Sequence, residues 1–172
     1  HELSSGFMAE AYARMNGTPA LCIATLGPGV ALASGSMMNS LVENSPVIYL
    51  GGQRARITER RVRRGRIQFI QQEDLYKSSV KWSASIEYAE QTDEIIRHAL
   101  RVCQTGTPGP VYIEYPSHVI NQDIEVKPAL PPAAYRLVEP GADGQMVAKA
   151  AELIKNAECP IILTGHAVQC SR

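Results

Sequence analysis

The sequence predicts an α/β fold, a doubly wound and mainly parallel sheet followed by the start of a second α/β domain. Three observations lead there: short apolar runs alternate with segments of helical period, Gly or Pro turns separate them, and the crossovers are long enough for a helix. In residues 3–15, Gly6, Phe7, Ala9 and Ala13 recur at helical spacing, and Asn16-Gly17 makes a C-terminal cap. ALCIAT, from Ala20, is expected to be a strand buried on both faces, ended by Gly27-Pro28-Gly29. Residues 30–42, rich in Ala, Ser and Met, read as a helix that Ser45-Pro46 breaks. PVIYLGG is a second strand running into Gln53. A short helix over 68–76, a strand over 81–86 (KWSASI), an amphipathic helix over 91–104 and, after GTPGP, a strand VYIEYP complete the first domain at about residue 120.

Residues 121–142 are proline-rich and without period, as a linker should be. Beyond them, 144–156 reads as a helix, PIIL (160–163) as a strand, and TGHAVQCSR as a turn entering another helix, so 143–172 opens a second domain.

Seventeen basic and seventeen acidic side chains balance, and 45% of residues are hydrophobic. Net charge therefore offers nothing toward a nucleic-acid or membrane partner, and no apolar run has the length of a membrane span. The four cysteines lack CxxC spacing and read as reduced core thiols of a reducing, cytoplasmic compartment. No secretory leader precedes His1, and a targeting segment is expected only outside this stretch.

The series HELSSGFMAEAYAR, ATLGPG, SPVIYLGGQ, KWSASI and TGTPGPVYIEYP resembles, in order and spacing, the pyrimidine-binding domain of thiamin diphosphate enzymes of the acetolactate synthase and pyruvate oxidase type. The resemblance covers about residues 1–120. It implies three α/β domains, so that this chain is expected to be a piece of a polypeptide roughly three times longer. It implies Mg2+ held with the diphosphate by another domain, and a homodimer or homotetramer with the active site between subunits. The activity implied is decarboxylation and carboligation of 2-oxo acids, most like acetolactate synthase. A 2-hydroxyacyl-CoA or oxalyl-CoA lyase of the same family is the nearest alternative, and a non-catalytic nucleotide-binding or oligomerisation module is the alternative of another class.

By motif position, Glu2 matches the glutamate that bonds to the cofactor's aminopyrimidine ring. A carboxyl in an apolar site, its pKa raised by desolvation, can share a proton with a ring nitrogen. An ordinary exposed acid is the plainer alternative, and His1 reads as a polar residue at the helix entrance. Phe7 could wall the cofactor pocket or simply pack. In the turn Gly27-Pro28-Gly29 the glycines let backbone approach a ligand or a partner chain, or the three make a plain tight turn. Leu32 stands where many members carry asparagine, which removes a polar contact near that turn. Gln53 ends a strand at the carboxyl edge of the sheet, where open α/β folds bind ligands. The synthase branch carries a Phe-Gln pair beside the substrate; Gln68 and Gln71 are the nominees here, neither in a clean match.

Seven arginines in residues 54–66 could clamp an anion such as a diphosphate or coenzyme A tail, or form a solvated loop. Nucleic acid is disfavoured because no aromatics interleave them. GHAV, at 165–168, follows a strand and opens a helix, where backbone amides could hold an anion; the resemblance adds FAD as a possible cofactor, since flavin-binding members of the family hold it in the central domain.

Overall fold

A computed structural model describes residues 1–55, 68, 70–125, 128, 131 and 141–170, apart from the side chains of Gln169 and Cys170. The chain divides into two compact units, 1–135 and 136–172. Most of the arginine-rich segment 54–66 and most of the expected linker lie outside the described residues.

In the first unit, helix α1 (Glu2–Asn16) buries Gly6, Ala9, Glu10 and Ala13, one stripe at helical spacing. It stops where the sequence places its cap: Gly17 takes φ 65°, and its N–H donates to the Ala13 carbonyl at 2.9 Å. Strands β1 (Ala20–Ala24), β2 (Val47–Gln53), β3 (Trp82–Ser85) and β4 (Val111–Pro116) form a parallel sheet in the order β1-β2-β4-β3. The α/β class read from the sequence holds. The helix expected over 30–42 divides at Ala33 into α2 (Pro28–Leu32) and α3 (Ser34–Val42). Between β2 and β3 lies α4 (Gln72–Tyr76), a single turn and a half. A 3-10 turn, Ala89–Gln91, leads into α5 (Thr92–Gln104), and α6 (Ser117–Ile120) follows β4.

Side chains alternate across the strands and build a core on each face. One joins Ala9, Ala13, Cys22, Val30, Ala33, Met37, Tyr49, Tyr76 and Tyr112, beneath α1 to α4. The other joins Ile48, Val111, Ile113, Ala99 and Cys103, beneath α5, with Val119 of α6.

β1 corrects the expectation of burial on both faces, since its residues are alternately buried and exposed. Leu21 and Ile23 are 55% and 56% exposed. Their ladder partners are Ile48 and Leu50, so they lie on the α5 side of the sheet, while α5 packs on β2, β3 and β4. An edge strand beyond the reach of its covering helix keeps one face open.

In the second unit, α7 (Gly144–Asn156) matches its expected limits. Its start is fixed by Asp143, whose Oδ1 accepts from the N–H groups of Gln145 and Met146 at 2.9 and 3.0 Å. α8 (His166–Cys170) follows. PIIL does not form the expected strand: Ile161 and Leu163 are 91% and 98% exposed, and among the described residues of this unit there is no second strand to complete a ladder. Cys22 and Cys103 are buried, as expected, whereas Cys159 is exposed rather than in a core. Among the described residues no helix is long and apolar enough to cross a membrane.

Candidate functional site

At the carboxyl end of β1 the chain turns through residues 25–30 directly into α2. The Val30 N–H donates to the Thr25 carbonyl at 3.0 Å and the Ala31 N–H to Gly27 at 2.9 Å, which closes the turn. Glu2, half-buried in the first turn of α1, comes against it. A Cβ added at Gly29 would sit 3.3 Å from Glu2 Oε1 and 2.5 Å from Thr25 Cγ2. Only a residue without a Cβ lets the turn come this close to the carboxylate, because Thr25 already occupies the place a side chain would need. Gly27, at φ 65°, meets the Gln68 carbonyl at a point where a Cβ would lie 2.1 Å from the oxygen.

Residues 70–76 are strapped across this end of the sheet. Gln68 itself adopts φ 69°. Gln53, 3% exposed, donates from Nε2 to the Ile70 carbonyl at 3.1 Å and accepts the Arg54 N–H at 2.8 Å, so its amide is occupied in holding the strap. Gln72 is fully buried in α4. Its Oε1 accepts the Gly27 N–H at 2.5 Å, while Nε2 donates to the Gly52 carbonyl at 2.8 Å and to Tyr112 Oη at 3.0 Å. One turn later the Tyr76 hydroxyl donates to the Val30 carbonyl at 2.7 Å. Burial pushes the Tyr76 phenol up to about 12, and burial, reinforced by nearby Glu114, raises that of Tyr112. Both hydroxyls thus keep their protons, and the Tyr76 donor persists, across the physiological range.

Of the residues nominated from the sequence, the structure gathers Glu2, Gly27, Gly29 and the Gln68 backbone at one place, with Gln53 buried in the adjoining strap. Pro28 opens α2 and is exposed. The side chains of Gln68 and Gln71 are exposed. Phe7 is 43% exposed and stands five residues from Glu2, about 140° around the helix. Gln72 and Tyr76 went unnominated, although their spacing of four puts both on one face of a short helix.

A family model described as "Thiamine pyrophosphate enzyme, N-terminal TPP binding domain" matches residues 1–78, the span that holds Glu2, the turn at 25–30, Gln53, Gln72 and Tyr76 but not Tyr112. The chain belongs to the thiamine pyrophosphate enzyme family. Among curated relatives, 2-hydroxyacyl-CoA lyase 2 of Danio rerio is 35% identical over 133 residues, 74% of this chain and 21% of that protein. The probable acetolactate synthase large subunit of Methanococcus aeolicus is 31% identical over 175 aligned positions, 99% of this chain and 29% of the relative. The acetolactate synthase of Bacillus subtilis is 28% identical over 165, covering 96% and 28%. The chain thus spans less than a third of the length of the curated relatives it matches.

The residues present fit one side of the cofactor of this thiamine pyrophosphate family. A pyrimidine ring needs a carboxyl to bond to its nitrogen, and the half-buried Glu2 carboxyl, held against the turn at the carboxyl end of β1 with Gly29 packed beside its Oε1, provides it.

Proposed function

We propose that this chain supplies the pyrimidine-binding side of a thiamin diphosphate-dependent transferase or lyase acting on 2-oxo acids, most like acetolactate synthase. The observation that carries the reading is the juxtaposition of the Glu2 carboxylate with the bare backbone of Gly29. When bound, thiamin diphosphate supplies the electron sink for decarboxylation and carboligation. Glu2 holds and exchanges a proton at Oε1 with a ring nitrogen, and Gly27 and Gly29 let the turn pack closely against Gln68 and Glu2. Residues 70–76 tie the turn to β2 and β4 through Gln53 and Gln72, and Gln68 meets Gly27 through its carbonyl. The resemblance assigns Mg2+ and the diphosphate to another domain, and the reading keeps that assignment. It does not call on FAD, because the turn at Gly165 opens a helix of five residues, too short for much of a macrodipole. Exposed Phe7, Met8, Tyr12 and Met15 along α1 support a homo-oligomer, and the buried cysteines Cys22 and Cys103, far apart in sequence, support a reducing, cytoplasmic setting.

The test is Glu2→Gln in the protein expressed from its full reading frame. Turnover should fall by about 10²–10⁴-fold, the usual worth of a positioned proton-transfer group, with cofactor affinity little changed. Undiminished turnover would refute the role. The second reading, a 2-hydroxyacyl-CoA lyase, is favoured by the 35% identity to such a protein. Product analysis with pyruvate against a 2-hydroxyacyl-CoA decides between them.

A further inference from the structure

We infer that Gln72 is a positioning residue for the cofactor-facing turn, an inference that rests on the function proposed above. Its amide uses one acceptor and both donors on three different segments: the Gly27 N–H at the head of the turn, the Gly52 carbonyl near the end of β2, and Tyr112 Oη of β4. The side chain is fully buried, and none of those three groups comes from its own helix. A buried amide satisfied in this way has one low-energy orientation, because any rotation leaves a donor or acceptor unpaired in a dry site.

The geometry gives this orientation a consequence at Glu2. The Gly27 N–H is held by Gln72 Oε1, the Val30 carbonyl by the Tyr76 hydroxyl, and Gly29 lies between them against Glu2 Oε1. α4 therefore grips the turn on both sides of the glycine that faces the carboxylate. Gln72 touches neither ring nor substrate. It sets the distance between Gly29 and Glu2, and a shift of that surface by a fraction of an ångström alters how the ring meets the carboxyl.

The experiment compares Gln72→Met with Ile113→Val in the protein expressed from its full reading frame. Methionine keeps the length and burial of glutamine and removes all three bonds. Ile113 is fully buried in the other core, away from the turn, and serves as a control for lost stability. Three quantities are measured per folded molecule: thiamin diphosphate affinity by titration calorimetry, kcat, and hydrogen exchange at the Gly27 amide. Gln72→Met should weaken cofactor binding or lower kcat by roughly tenfold to a hundredfold and accelerate exchange at Gly27, while Ile113→Val changes none of the three. Tyr76→Phe, which releases the other side of the turn, should shift the same quantities in the same direction by less.

If Gln72→Met matches wild type in affinity and kcat once the folded fraction is accounted for, or merely matches Ile113→Val, the inference is overturned while the family function stands. If the wild-type protein binds no thiamin diphosphate, both fall together.

Discussion

The two faces of the sheet hold the same strands in place by different means. Beneath α1 to α4 the core is laced with polar groups: Glu10, Ser36, Ser40 and Gln72 are all buried there. The Glu10 carboxylate accepts from Asn39 Nδ2 at 3.0 and 2.9 Å, and the hydroxyls of Ser40 and Tyr49 lie 3.0 Å apart. Beneath α5 the core is a set of aliphatic side chains with Trp82 set edge-on to the His98 ring. Apolar packing tolerates substitutions of similar volume, whereas a buried hydrogen-bond network admits one arrangement. The face that carries Glu2 and the turn is the one built from direction, and the other supplies bulk.

The largest expected break in that comparison is Gly51→Ala. A Cβ there would lie 2.5 Å from Tyr112 Oη and 2.8 Å from Val30 Cγ2, inside the polar-laced core and next to the Gln72 contact. Since β2 and β4 are paired on the spot, neither neighbour can swing away, and the cost should be about 3 kcal/mol. Urea denaturation followed by circular dichroism measures it, and a change below the size expected of a surface substitution would show the face to be loosely packed. Next comes Glu10→Ala, which leaves the Asn39 amide and its neighbours without an acceptor at a site 3% exposed, for about 2 kcal/mol. Glu10→Gln, which keeps an acceptor oxygen, should recover part of it. Equal losses for both variants would mean that volume rather than bonding matters at this position.

What was legible in the sequence divides along the same line. β4 and α7 could be bounded from the chain alone because the signals are local: GTPGP stops and restarts the backbone before Val111, and Asp143 caps the helix it precedes. Strand β1 carries an equally clear apolar run, but whether both its faces are covered depends on how far α5 reaches across the sheet, which no window of sequence contains. PIIL fails for the same reason, since a strand exists only with a partner. At the site, Glu2 and the Gly27–Gly29 turn were found because their motifs come in a recognisable order. Gln72 was passed over for its neighbour Gln71. The two are chemically identical, and only the point at which α4 begins decides that Gln71 stands exposed at the N-cap position, with no capping bond from its side chain, while Gln72 turns inward to Gly27.

The aliphatic face gives the third prediction. Ile113→Val removes one methylene from a fully buried position and should cost about 1 kcal/mol, with the site untouched. A loss of cofactor affinity larger than the loss of folded protein would mean that the two faces are coupled through β4, and would weaken the division drawn between them.

The smallest effect at neutral pH, and the one that changes most with conditions, belongs to Tyr76→Phe. Its hydroxyl holds the Val30 carbonyl, which also accepts the Ala33 N–H at 3.1 Å, so the carbonyl keeps a partner and the cost should be about 0.5–1 kcal/mol. The phenol is raised by burial from 10.0 to about 12, and Tyr49 and Tyr112 on the same face are also raised, chiefly by burial. A raised acid in the folded state binds its proton more tightly than the unfolded chain does. The stability linked to it is fully present below pH 10 and is lost as the pH climbs from about 10 to about 12. Alkaline unfolding should therefore begin on the tyrosine face, and Tyr76→Phe should flatten part of the decline between pH 10 and 12 although it lowers stability at pH 7. Amide exchange across the alkaline transition distinguishes the faces. Simultaneous opening beneath α5, or a Tyr76→Phe curve parallel to wild type, would show that the alkaline transition does not start at these buried phenols.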